Sequence, residues 1–148
     1  MSDASRNRDA DIGRILAAAA ELTRQVRRMR SSPFAADGLS GRQVDALFVL
    51  ARSGIGMTPS ALAETLGVTA GAVTQLVDPL VERSLVERRA HPDDARSRLL
   101  TLTEDATGRI GDFEADVRAH LADRFGALDD AALARLAEAL ERVASLER

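Results

Sequence analysis

Two adjacent aspartates stand among arginines in the segment HPDDARSR, which covers residues 91–98 between two short apolar runs. A guanidinium group presents a planar fork of N–H donors, so it pairs bidentately with a carboxylate or with a phosphate. A carboxylate beside such an arginine can hold the side chain extended toward an anionic partner. A solvated charged turn is the alternative interpretation.

The composition argues against several other kinds of site. The 148 residues include no cysteine, which excludes disulfides, thiolate metal ligands and cysteine nucleophiles. The only histidines are His91 and His120, 29 positions apart, so a metal site would depend on carboxylates. The sequence also shows no phosphate-binding loop and no nucleophile near a histidine. We therefore expect no enzyme activity, no cofactor and no metal.

Charge is distributed unevenly along the chain, although the formal net charge is only −3. Residues 83–98 hold five arginines against three acids, whereas residues 53–82 hold three acids and no basic residue. For contact with a nucleic acid, the local distribution matters more than the sum. The arginine-rich segment is thus the candidate for binding an anionic partner.

Hydropathy favours a folded protein of the cytoplasm. The chain is 45% hydrophobic and 29% charged, which is typical of a globular domain. No run approaches the roughly 18 to 20 apolar residues that cross a bilayer. The N-terminal sequence MSDASRNRDAD lacks the apolar stretch of a signal peptide. We expect no membrane partner.

The apolar periodicity predicts a mainly α-helical chain with a small β-hairpin. A heptad seam from Asp9 to Arg30 indicates a long first helix, and SSPFAADG ends it. Ser40 and Gln43 have capping-box spacing at the start of a second helix. Two short helices follow, then strand candidates LVERR and RLLTL, and then two long helices of which Thr103 caps the first.

The middle of the chain, residues 40–102, carries the pattern of two helices joined by a tight turn. Thr58 and Thr69 are N-cap candidates, and Gly67 is the stop between them. Ala63 supplies a small residue where two crossing helices approach each other. Because a hairpin follows directly, we interpret this region as a winged helix-turn-helix, whose second helix enters the major groove of DNA. An αα-hairpin inside a core is the alternative.

Amphipathic helices at both ends of the chain, within residues 9–32 and 103–148, carry apolar seams outside the compact middle region. Such seams most simply bury each other, or their copies in a second subunit along a two-fold axis. Packing within one chain is the alternative. The predicted dimer-interface residues are Ile12, Ile15, Leu22, Val26, Leu133, Leu136, Leu140 and Val143.

The segment MTPSALAETLGVTAGAVTQLVDPLVERSLVERR, the hairpin HPDDARSRLLTLT and the long flanking helices cover nearly the whole chain. Together they resemble the MarR family of bacterial transcription regulators. The most specific part is the pattern Asp-x-Arg, formed by Asp94 and Arg96 and followed by LTLTED. The resemblance implies one domain over residues 1–148 that forms a homodimer and binds a pseudo-palindromic operator in double-stranded DNA.

The resemblance also implies roles for individual residues. Asp94 would steady Arg96, which enters the minor groove, where a narrow groove concentrates negative potential and attracts a guanidinium. Family members often respond to small amphipathic, commonly aromatic acids, so the resemblance implies a ligand-responsive repressor whose effector-binding residues we do not assign. The predicted DNA-binding residues are Ser60, Thr69, Ala70, Gly71, Thr74, Gln75, Arg88, Asp94, Arg96 and Arg98.

Three features depart from the family pattern. No basic residue lies between Arg52 and Arg83, although Gln75 can pair bidentately with adenine. Pro79 falls about ten residues into the predicted recognition helix, where proline removes a hydrogen bond and kinks or ends the helix. Ser84 replaces the usual glycine before the hairpin. We therefore expect binding to depend more on the hairpin than on the helix; a protein-interaction module with little DNA affinity is the alternative function.

Overall fold

The computed structural model describes residues 3–28, 33–91 and 97–144 of the chain. These residues form six α-helices and one antiparallel β-hairpin. The predicted fold class, mainly α with a small β-hairpin, is confirmed. In chain order the elements are α1 (Asp3–Arg28), α2 (Gly41–Ser53), α3 (Pro59–Leu66), α4 (Ala70–Glu82), β1 (Val86–Ala90), β2 (Arg98–Leu102), α5 (Glu104–Phe125) and α6 (Asp130–Ala144).

The chain forms two compact units, Met1–Phe113 and Glu114–Arg148. The first unit holds α1 to α4, the hairpin and the start of α5, and the second holds the rest of α5 and α6. No helix in the described ranges is long and apolar enough to cross a membrane. In the same ranges, no three His, Asp or Glu side chains are grouped so that they could hold a metal ion. The predicted division into residues 9–32, 40–102 and 103–148 stays a prediction.

Helix α1 begins earlier than its apolar seam predicts. It starts at Asp3 rather than near Asp9, because backbone hydrogen bonding continues through polar residues that contribute nothing to an apolar seam. The helix is described to Arg28, and the predicted end at Arg30 lies outside the described residues.

The predicted N-caps of α2 and α3 are confirmed. In the capping box of α2, the Ser40 hydroxyl accepts from the Gln43 backbone N–H at 3.3 Å, and the Gln43 side chain accepts from the Ser40 N–H at 2.9 Å. At α3, the Thr58 hydroxyl accepts from the Ala61 N–H at 3.2 Å. Each bond satisfies a backbone donor that has no partner within its own helix.

The core of the first unit lies among α2, α3, α4, the hairpin and the start of α5. Ala46, Leu47 and Leu50 of α2 are fully buried, whereas Val44 and Phe48 of the same helix are only half-buried. The largest fully buried side chains are Phe34, Leu47, Leu62, Leu80, Leu85, Leu100, Val73, Val77 and Val86.

Arg109 of α5 anchors the connection between α1 and α2. Its guanidinium lies 4.5 Å from the centre of the buried Phe34 ring. Its Nε donates to the Pro33 carbonyl oxygen at 3.1 Å, and its Nη2 donates to a carboxylate oxygen of Asp37. The hydrogen bond with Asp37 is the main cause that raises the pKa of Arg109. A segment that sequence patterning treats only as a helix break is therefore part of the core.

The two strands pair with Val86 opposite Leu102 and Ala90 opposite Arg98. The predicted strands LVERR and RLLTL are therefore confirmed, with the first strand shifted by one residue. Thr103, the predicted cap of α5, accepts from the Ala106 N–H at 3.3 Å.

Met57 extends the hairpin by one further bridge that the sequence pattern does not indicate. Its N–H donates to the Leu100 carbonyl oxygen at 3.0 Å, and the Leu100 N–H donates to the Met57 carbonyl oxygen at 2.8 Å. Gly56, with φ of +94°, lies close to β2. An added Cβ would be 2.5 Å from Thr101 Cγ2 and 2.8 Å from the Leu100 carbonyl oxygen. A bridge of one residue is too short to leave a strand pattern in the sequence.

Candidate nucleic-acid interface

A tight turn joins α3 to α4. Gly67 is left-handed, with φ of +63°. The Gly67 N–H donates to the Glu64 carbonyl oxygen at 3.1 Å, and the Val68 N–H donates to the Ala63 carbonyl oxygen at 2.9 Å. These two bonds are the pattern of a Schellman motif, in which glycine adopts positive φ without steric cost. The predicted stop at Gly67 is confirmed, and it lets α4 begin three residues later.

Helix α4 buries one face and exposes the other. Val73, Val77 and Leu80, which lie four and three positions apart on one helical face, are almost fully buried. The Thr69 hydroxyl accepts from the Ala72 N–H at 3.3 Å, which confirms Thr69 as the N-cap. The predicted DNA-binding residues of the first two turns are all exposed: Ala70, Gly71, Thr74 and Gln75.

Three of the remaining predicted contacts lie on three other elements. Ser60 is exposed in the first turn of α3. Arg88 on β1 and Arg98 on β2 are also exposed. Asp94 and Arg96, the central pair of the sequence prediction, lie outside the described residues.

Two of the three strand arginines are paired with carboxylates. Arg88 Nη2 donates to Asp78 Oδ1 of α4 at 2.5 Å, and Arg89 Nη2 donates to Glu87 Oε1 at 2.5 Å. Arg98 makes no ion pair within the described part of the chain. Sequence reasoning missed the role of Asp78, since its partner is ten positions away on a different element.

Comparison with known proteins agrees with this arrangement of helix pair and hairpin. Residues 37–97 match a family model described as the MarR family. The central part of the chain is therefore similar to the MarR family. No curated protein matches the chain significantly in sequence.

Solved structures of MarR-family and similar regulators match over nearly the whole chain. CouR from Rhodococcus jostii RHA1, bound to p-coumaroyl-CoA, is 27% identical; the match covers 93% of this chain and 94% of that one, with a TM-score of 0.65. A MarR-family transcriptional regulator from Rhodococcus sp. RHA1 is 25% identical, with coverage of 94% and 97% and a TM-score of 0.64. NadR in complex with 4-hydroxyphenylacetate shares the fold at 22% identity, with coverage of 93% and 94% and a TM-score of 0.67. The chain therefore has the winged-helix fold of a transcription regulator.

Pro79, one of the departures from the MarR pattern, lies inside α4 rather than at its end. The helix continues to Glu82, and the Arg83 N–H still donates to the Pro79 carbonyl oxygen at 3.2 Å. Proline removes one N–H donor, so the carbonyl of Gln75, four residues earlier, loses its helical partner. Because Gln75 is exposed, water can hydrate that carbonyl, and the helix is not ended there.

Ser84, another departure from the MarR pattern, adopts the conformation that glycine normally takes. Its φ is +55°, the only positive φ at a residue other than glycine among those described. The Ser84 N–H donates to the Val81 carbonyl oxygen at 2.9 Å, and the Leu85 N–H donates to the Leu80 carbonyl oxygen at 2.9 Å. A second Schellman motif thus joins α4 to the hairpin, with a strained serine in the glycine position.

Proposed function

We propose that this protein is a ligand-responsive MarR-family repressor that binds double-stranded operator DNA sequence-specifically as a homodimer. The observation that carries the proposal is the exposed face of α4 in its first half. The other face of this helix is buried in the apolar core, and the hairpin that follows the helix carries exposed arginines. In winged-helix proteins such a helix lies in the major groove while the hairpin reaches a neighbouring groove.

The side chains on α4 suit close approach to base edges. Gln75 can donate to and accept from adenine, and Thr74 can contact a thymine methyl group or a phosphate. Ala70 and Gly71 project almost no side chain, so the helix backbone can lie deep in the groove. On the hairpin, we assign Arg98 to a phosphate contact and Arg96, steadied by Asp94, to the minor groove.

Exposed apolar seams support the homodimer. On α1, Ile12 and Ile15 are 47% and 57% exposed, while Leu22 and Val26 are half-buried. Apolar exposure on this scale is typical of a surface that another chain covers. A second copy would supply the same seam through a two-fold axis, and a dimer would present its two recognition helices to half-sites about one DNA turn apart.

The second unit carries a further apolar surface. A groove of about 510 Å³ runs between α6 and the adjoining part of α5. Leu133, Leu136, Leu140 and Val143 of α6 are between 38% and 70% exposed. The groove is lined by Val117, Arg118, Leu121, Ala122, Phe125, Leu133, Leu136, Ala137 and Leu140. We assign the exposed leucines of this groove, with Val143, to the dimer interface.

The proposed effector is a small amphipathic aromatic acid or its derivative. Two of the solved neighbours carry p-coumaroyl-CoA and 4-hydroxyphenylacetate, both of which contain a phenol ring and an acid-derived group. Binding of such a molecule would shift the spacing of the recognition helices and so change the fit to the operator.

The alternative is a winged-helix module that binds a protein rather than DNA. The exposed face of α4, within the described residues, carries no basic side chain. Two of the three arginines on the strands form ion pairs with carboxylates, so the electrostatic attraction of this surface to DNA is reduced. DNA-binding measurements distinguish the two functions, because phosphate contacts make DNA binding strongly dependent on salt.

The test begins by selecting the fragments of the host genome that the purified protein retains. The affinity for the enriched sequence is then measured by fluorescence anisotropy at several salt concentrations. We expect Arg96→Ala to weaken binding by about tenfold or more, and Gln75→Ala to relax the base preference at one position. Arg135→Ala, an exposed arginine on α6, is the matched control and should leave affinity unchanged. Absence of any salt-sensitive binding by the wild-type protein would favour the protein-interaction module.

A further inference from the structure

The exposed face of α4 does not end with the predicted base-reading residues. Asp78 lies four residues after Thr74 and three after Gln75, so it continues the same helical face by one turn. Its carboxylate accepts from Arg88 Nη2 of β1 at 2.5 Å, and the two side chains are 48% and 44% exposed. The pair therefore joins α4 to the hairpin at a surface that both elements share.

This contact decides what Arg88 can do. A DNA phosphate and the Asp78 carboxylate would compete for the same guanidinium, since each accepts charge-assisted hydrogen bonds from it. An unpaired carboxylate on this face would repel DNA, whereas the pair carries no net charge. Arg88 and Asp78 thus cancel each other's charge where the protein would meet the DNA backbone.

We propose that Asp78 is a positioning residue that keeps Arg88 bound to α4 when the protein is on DNA, so that Arg98, rather than Arg88, is the strand arginine that contacts phosphate. This inference rests on the proposed DNA-binding function. Arg98 supports it, because Arg98 is exposed on β2 and has no carboxylate partner within the described residues. The pair would fix the hairpin relative to the recognition helix at the cost of one phosphate contact.

A contribution to the stability of the fold does not explain the ion pair between Asp78 and Arg88. An exposed ion pair of this kind contributes little to folding, since both groups remain hydrated and both side chains lose rotamer freedom. Asp78→Asn should therefore leave the protein folded, which a circular dichroism melting curve checks.

The experiment measures DNA affinity against salt concentration for the full-length protein and an operator fragment. Asp78→Asn releases Arg88 for a phosphate, so the slope of log K against log salt should steepen by about 0.9. The affinity for DNA at 0.1 M salt should rise by up to about eightfold, because a slope change of about 0.9 over a tenfold range of salt concentration corresponds to that factor. The matched control is Glu82→Gln, which removes a carboxylate from the exposed last turn of the same helix and should leave the slope unchanged.

Glu82→Gln separates release of Arg88 from a general loss of negative charge, and a double substitution then tests whether Arg88 is the group that is released. Asp78→Asn combined with Arg88→Gln has the net charge of the wild type and should return the slope to the wild-type value. An unchanged slope or weaker binding in Asp78→Asn would overturn the inference. So would a slope that is about 0.9 shallower in the double substitution than in the wild type, because Arg88 would then already contact phosphate in the wild-type complex. Absence of salt-dependent binding by the wild type would instead overturn the proposed function, with no variant needed to see it.

Discussion

At the scale of single residues, Ser84 carries an identifiable strain. It occupies the left-handed position of a Schellman motif with φ of +55°, and its carbonyl oxygen accepts from the Thr103 hydroxyl at 2.9 Å. A residue with a Cβ costs about 1 to 2 kcal/mol in this conformation, whereas glycine adopts it freely. We expect Ser84→Gly to raise the free energy of unfolding by about 1 kcal/mol, since the backbone hydrogen bonds are kept.

Urea denaturation followed by far-ultraviolet circular dichroism measures this change, because the chain has no tryptophan or tyrosine to report by fluorescence. Ser84→Ala is the control, since alanine keeps the Cβ and should bring no such gain. If alanine stabilised the protein as much as glycine, the backbone strain would not be the cause.

At the scale of elements, the bridge at Met57 attaches the hairpin to the chain before α3, and it depends on Gly56. An alanine Cβ at Gly56 would lie 2.5 Å from Thr101 Cγ2 and 2.8 Å from the Leu100 carbonyl oxygen. The backbone cannot move away without breaking the two bonds between Met57 and Leu100. We expect Gly56→Ala to lower the free energy of unfolding by about 2 to 4 kcal/mol, the sum of steric crowding and left-handed strain.

Gly38 provides a control for the steric part. It is left-handed, with φ of +64°, and an added Cβ there would have no atom within 4 Å. Gly38→Ala should therefore cost only the strain of the backbone, about 1 to 2 kcal/mol. Equal losses for the two substitutions, measured by urea denaturation, would show that crowding at the bridge contributes nothing.

At the scale of the whole molecule, the proposed homodimer depends on apolar residues such as Leu140, which is 51% exposed on α6. A charge at this position would be buried without a partner in the dimer. We expect Leu140→Asp to sediment as a monomer at micromolar concentration while the wild type sediments as a dimer. DNA affinity should fall by at least about a hundredfold, because a monomer engages only one half-site.

Ala139→Asp adds the same charge at the residue before Leu140, about 100° away around the axis of α6, at an exposed position that does not line the groove. It should sediment like the wild type. A dimeric Leu140→Asp protein would contradict the assigned interface, and a monomeric wild type would contradict the homodimer itself.

The sequence by itself determined the features that depend on atoms close together along the chain. The N-caps at Ser40, Thr58 and Thr69 each bond a backbone N–H three residues later, and the Gly67 turn closes over a similar distance. Residue types at such spacings specify the local geometry, so helix order, the turn and the strands were predictable.

Only the tertiary structure decided which distant groups meet. Arg109 pairs with Asp37 across 72 positions, and Gly56 is confined by Leu100 and Thr101 of a later strand. Arg88, which its residue type marks as a phosphate contact, instead meets a carboxylate of the recognition helix. Local spacing does not encode such partners, because they depend on how separate elements pack, and it is this packing that determines which arginines remain available to bind an anion.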